Sequence, residues 1–176
     1  MWPFNRASKQ TPADSNSDYI TPDEFLRSSV CAQLTPDEQW VIERRLEAFS
    51  GHKVHPQHAA NMFGVFAAAA LATYALDLAR EAAEEVDSED NPELAAEAVA
   101  LEAEKPKMFE AAISALQRAY RIYPHPALKT HLAGVLDAVG RTFEANEMRS
   151  EASREEATRL RKETDGILVA DLTYRL

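Results

Sequence analysis

The chain has one cysteine and five glycines among 176 residues, and its 19 Lys and Arg are outnumbered by 29 Asp and Glu. Each shortage excludes something. A lone Cys31 cannot close an intramolecular disulfide, and no charged n-region followed by an apolar h-region opens the chain, so a reduced, cytoplasmic protein is expected. Few glycines, with alanines in runs, argue against a sandwich or barrel, which needs many tight turns. A net charge of −10 makes nucleic acid a poor partner without a local basic patch. There is no Gly-rich phosphate loop, Gly-x-Ser-x-Gly elbow or His-Glu-x-x-His. The expectation is a non-enzymatic protein without a cofactor.

What is present is helical period. Residues 1–20, rich in Ser, Asn, Asp, Pro and Thr, read as a disordered lead-in, although Trp2, Phe4 and Arg6 suit weak peripheral contact with a membrane interface. Residues 21–163 read as a single all-α domain of six or seven helices, and residues 164–176 as an apolar tail. Thr21-Pro22-Asp23-Glu24 recurs as Thr35-Pro36-Asp37-Glu38, each with a hydroxyl at N-cap, Pro at N1 and Glu at N3. The stripes Phe25/Leu26/Ser29/Val30 and Ile42/Leu46/Phe49 follow. Pro56 opens a long helix running to about residue 86, in which residues 59–76 are apolar apart from Asn61 and Thr73. Because Asp77, Arg80 and Glu81 continue the period without aromatic or Lys/Arg belts, a buried central helix is expected and not a transmembrane span. Gly64 suits a close crossing. Further helices are expected over residues 92–104, from Pro106 to the Tyr123-Pro124-His125-Pro126 break, over 127–139 with Gly140 at C′, and over 142–162.

The charge is localised. Ten acids and no base lie in residues 81–104, a number equal to the whole net charge. Glu84, Glu85, Glu89 and Asp90 mark an acidic patch that would steer a basic partner. Asp87, Glu89, Asn91 and Glu93 alternate like early EF-hand ligands, but Pro92 replaces the required Gly and Ala98 the bidentate Glu, so calcium is not expected.

Residues 107–157 carry a repeat signal. Phe109, Ala112-Ile113, Leu116, Ala119, Ile122 and Pro124 have the offsets of the second helix of a tetratricopeptide repeat, which this segment resembles. Leu132-Ala133, Leu136, Gly140, Ala145 and Ala152 resemble the next hairpin. There, Lys129 replaces a large apolar residue, Phe143 comes late, and Ala157 stands in place of a terminating Pro, so the last helix is free to run on as a polar cap. The resemblance implies a concave face from Ala127, Thr130, Gly134 and Asp137, binding a protein partner. It does not imply a carboxylate clamp, whose Lys and Asn are missing.

Two further patterns leave alternatives open. His52, His55 and His58 offer three imidazoles, which suit a metal-binding enzyme or sensor, whereas Pro56 within the run favours a solvated loop. From residue 168, alternation of apolar residues suits a strand added to a partner, with Leu168, Leu172, Tyr174 and Leu176 docking. The four-residue spacing of Leu168, Leu172 and Leu176 suits a last helix on the protein's own core. The functional expectation is an adaptor, assembly factor or complex subunit.

Overall fold

Both Thr-Pro-Asp-Glu segments start helices in the way their residue types require. In the computed structural model, which describes residues 19–84 and 92–174, the amide of Glu24 donates to the Thr21 hydroxyl at 3.3 Å and the amide of Thr21 to the Glu24 carboxylate at 2.8 Å. Thr35 and Glu38 repeat the exchange at 3.3 and 2.9 Å. These boxes open α1 (Pro22–Leu26) and α2 (Pro36–Leu46), and α2 ends in a 3₁₀ turn, Glu47–Phe49. Then follow α3 (Pro56–Ala83), α4 (Pro92–Ile122), α5 (Pro126–Ala138) and α6 (Thr142–Tyr174). The architecture is all-α. Among the described residues the only β-pairing is an antiparallel bridge between Ile20 and Val54.

Helix α3 is the spine, packing on α2, α4 and α5. Ala59, Phe63, Ala67, Ala68, Leu71, Ala72 and Ala75 are buried in one cluster with Ala112, Ala115, Leu116, Ala119 and Ile122 of α4. Alanine methyls let the two backbones come close, so dispersion contacts are dense although each side chain is small. At Gly64 a Cβ would sit 3.5 Å from the Ile122 carbonyl oxygen, a close crossing with ordinary van der Waals room. The expectation of burial all round needs correction. Ala69, Thr73 and Leu76 are exposed along one side, because α2 and α4 leave a face of the helix uncovered. By length and composition Asn61–Ala83 would suffice to cross a membrane, and a third of its apolar window is buried by neighbouring helices.

Three sequence expectations shift. The stripe Phe25/Leu26/Ser29/Val30 is not a continuous helix: α1 buries Phe25 and ends at Leu26, and the chain continues in turns in which Cys31 is buried while Val30 stays exposed. Pro106 does not separate two helices but lies inside α4. A proline there removes one i→i−4 bond, and since Glu102 and Pro106 are both exposed, water can serve the released carbonyl. Packing along α3 and i,i+3 pairs at Lys105–Glu102 and Lys107–Glu104 hold the helix through the defect. Finally, α6 does not stop near residue 162 but runs as helix to Tyr174, so the strand alternative for the tail is not adopted. Side chains from residue 165 onward, including Leu168, Leu172 and Tyr174, and all of Leu176, lie outside the described residues.

The α5–α6 hairpin has a clear stop signal. Gly140 has φ +77°, its amide reaches the Asp137 carbonyl at 3.0 Å, and the Arg141 amide reaches Leu136 at 2.9 Å. This double bond pattern is the Schellman ending, which needs a left-handed residue at C′.

Candidate functional site

The exposed side of α5 carries the predicted concave residues. Helical spacing buries Leu128, Leu132, Ala133, Val135 and Leu136 on one face, which turns Ala127, Thr130 and Gly134 outward, while Asp137 is half-buried. Ala127 and Thr130 line a groove of about 570 Å³ between the start of α5 and the middle of α6, with Ala152, Ala157 and Leu160 on its far wall. Leu160 is 50% exposed. The Thr130 hydroxyl donates back to the Pro126 carbonyl, so its methyl completes an apolar floor. Gly134 and Asp137 continue along the helix but do not line this groove. Asp137 is instead paired with Arg149 of α6.

Behind the groove, Lys129 stands where the repeat pattern expects a large apolar residue. Its ammonium lies 2.6 Å from both Glu151 and Glu155 of α6 and 4.8 Å from the centroid of the Tyr120 ring of α4. The Tyr120 hydroxyl donates to Glu155 at 2.7 Å. The stem fills the apolar position and the charge is fully partnered, a snorkelling solution. Burial pulls the Lys129 pKa down, yet the hydrogen bonds its ammonium donates to Glu151 and Glu155 outweigh it and hold it above the ordinary lysine value. The same hydrogen bond from Lys129 holds Glu155 below the ordinary carboxylate value. Burial pushes the Tyr120 hydroxyl up.

A second groove, about 590 Å³, lies between α2 and α3. Val41, Ala69, Ala70 and Thr73 form its floor, with Trp40 and Tyr74 on the walls. Trp40 is 57% exposed. The Arg44 guanidinium lies 5.3 Å from the Trp40 ring centroid and that of Arg45 5.8 Å from Phe66. The far end holds Asp77 and Glu81, and Thr73 turns its hydroxyl to the Ala69 carbonyl at 3.0 Å, again leaving a methyl outward. This groove was not anticipated. Its one sequence signal is a tryptophan lying off the apolar stripe Ile42/Leu46/Phe49 of its own helix.

The remaining candidates are not assembled into a site. His52 sets its ring edge on Phe49 at 6.0 Å, and His55 sits 6.2 Å from both Tyr19 and His58. Among the described residues no three His, Cys, Asp or Glu side chains converge to hold a metal ion. Cys31 is buried, and burial raises its thiol pKa. Of the acidic patch, Glu84 is exposed, while Glu85, Glu89 and Asp90 lie outside the described residues, as do Trp2, Phe4 and Arg6.

The chain matches no protein-family model, no curated protein and no solved structure.

Proposed function

We propose that this chain is a non-enzymatic protein-interaction module, serving as an adaptor, assembly factor or subunit of a larger complex, built on tetratricopeptide-like stacking of the hairpins α3–α4 and α5–α6. One observation carries the reading. The α5–α6 groove is open, apolar in its floor and edged by His125, Ser153 and Glu156, and two of the four residues implied by the family resemblance, Ala127 and Thr130, lie in it. Supporting the stacking, each of α3 to α6 packs on the next and α3 also touches α5. The small residues Ala112, Ala119, Ala133, Ala145 and Ala152 are all buried, as close helix approach demands. An exposed apolar surface with a polar rim is the usual form of a protein contact site. The acidic stretch of residues 81–104 would add long-range attraction for a basic partner, weakened by salt.

The test is affinity purification from the native source with the full chain, its Thr130→Arg variant and its Leu160→Glu variant. A protein retained at stoichiometric amount by the parent and lost with both variants is expected. Retention unchanged by both groove substitutions, or no stoichiometric protein at all, refutes the proposal.

A further inference from the structure

The charges of the α2–α3 groove are ordered along its length. Arg45 lies over Phe66, and Phe49, just beyond α2, packs on Phe63 and Phe66, so the end of α2 meets the early part of α3, while Trp40 and Val41 line the groove with Ala69, Ala70, Thr73 and Tyr74. The two helices are therefore antiparallel. Arg44 and Arg45 crowd one end; at the other, Asp77 of α3 is paired with Arg80 at 2.8 Å, and Glu81 supplies the acidic character. From Ala69 to Glu81 the groove follows α3 for about 18 Å, roughly three helical turns.

We propose that the α2–α3 groove docks an amphipathic helix of a partner protein whose apolar face covers Val41, Ala69, Ala70 and Thr73, with acidic residues over Arg44 and Arg45 and a basic residue over Glu81. Rows of side chains at four-residue spacing, Val41/Arg45 of α2 and Ala69/Thr73/Asp77 of α3, leave between them the channel into which the ridge of a third helix fits. A second copy presenting this same concave surface does not fill it, since two hollows leave a void between them. Nucleic acid is disfavoured by the acidic end and by the net charge of −10. Half-exposed Trp40 beside the channel has the character of an interface anchor, losing water from a large ring when covered. This surface is distinct from the α5–α6 groove, so either reading can fail without the other.

Trp40 is also the reporter. Only Trp2 competes with it, so the full chain with Trp2→Phe gives a single-tryptophan signal. Three synthetic alanine-based helical peptides of about 14 residues, roughly 20 Å long, serve as probes. All carry the same leucine stripe; one has Lys at one end and Glu at the other, one has Lys at both ends and one Glu at both. At about 50 mM salt the bipolar peptide should shift Trp40 emission to the blue and bind about fivefold more tightly than either uniform peptide, the scale of one or two exposed charge pairs. The preference should fade at about 0.5 M salt as screening shortens. R44E/R45E makes the groove acidic throughout and should hand the preference to the Lys/Lys peptide. Ala69→Tyr and Thr73→Tyr, both at exposed positions that leave the core untouched, should abolish binding with unchanged helical dichroism, while Thr130→Arg should leave it intact.

Equal affinity for all three peptides, a native preference for the Lys/Lys peptide, binding that survives both floor substitutions, or no shift at about 1 mM peptide overturns the proposal. So does a blue shift that grows with protein concentration alone, which would assign the groove to a second copy.

Discussion

Replacing Arg118 by Met would strand a carboxylate inside the protein. Glu38 is 1% exposed; one oxygen accepts the Thr35 amide at 2.9 Å, and the other accepts Nε and Nη2 of Arg118 at 2.9 and 2.6 Å. Arg118 keeps 19% of its side-chain surface, so the pair is largely desolvated. Removing one partner of such a pair typically costs about 3–5 kcal/mol, because the remaining charge stays buried and unpaired. For a domain of this size about 3 kcal/mol corresponds to a fall in Tm of roughly 6–12 °C. Glu38→Gln alone should also destabilise, since the guanidinium loses its anion, but by less because Arg118 can turn toward water. The double variant Glu38→Gln/Arg118→Met removes both charges and should recover most of the loss, for a coupling of about 2 kcal/mol or more. Urea denaturation of the four proteins closes the cycle. If Arg118→Met lies within about 0.5 kcal/mol of the parent, or the two substitutions are additive, the pair does not clamp α2 to α4 and the reasoning fails.

Gly140→Ala should destabilise by about 1–2 kcal/mol from its left-handed φ alone, because a Cβ there meets nothing. Gly134→Ala, in the interior of α5 and equally unhindered, should stabilise by about 0.5–1 kcal/mol; thermal melts of the two should move in opposite directions. Pro106→Ala should raise stability by roughly 1–3 kcal/mol by restoring the missing bond in α4, measured by chemical denaturation. Glu155, held low by Lys129, contributes stability that is present above the ordinary carboxylate pKa and lost as pH falls through its lowered folded value. Melting between pH 5 and about 2 should therefore fall less steeply in Lys129→Met than in the parent. Buried Cys31, with its thiol pKa raised, should react with a disulfide reagent only on unfolding.

Local rules wrote much of the fold plainly. Both capping boxes, the helix at Pro56 and the Gly140 stop follow from residue types within one turn of each boundary. Pro106 misled because its penalty, about 3 kcal/mol, is local, whereas the packing of α4 along α3 that overrides it depends on residues tens of positions away. Glu38 shows the same blindness from the other side. As a capping residue it was legible, but its burial depends on Arg118, 80 positions later. Lys129 looked like a fault in an apolar pattern until Tyr120 of α4 and Glu151 and Glu155 of α6 were brought around it. For the candidate grooves, the repeat offsets pointed to Ala127 and Thr130, which line the one between α5 and α6, but nothing pointed to the α2–α3 groove. A groove belongs to two helices at once, and no period within either one announces it.

The alanine floor between α3 and α4 also bears on how stability varies with temperature. Heat capacity of unfolding scales with the apolar area newly wetted, and an alanine methyl adds far less of it than a leucine or phenylalanine side chain. With Ala59, Ala67, Ala68, Ala72, Ala75, Ala112, Ala115 and Ala119 in the interior, unfolding should show a small heat-capacity increment for its length. The curve of free energy against temperature is then broad and shallow, with both cold and heat denaturation pushed outward for a given maximum, so the domain would keep a nearly constant margin over a wide thermal range.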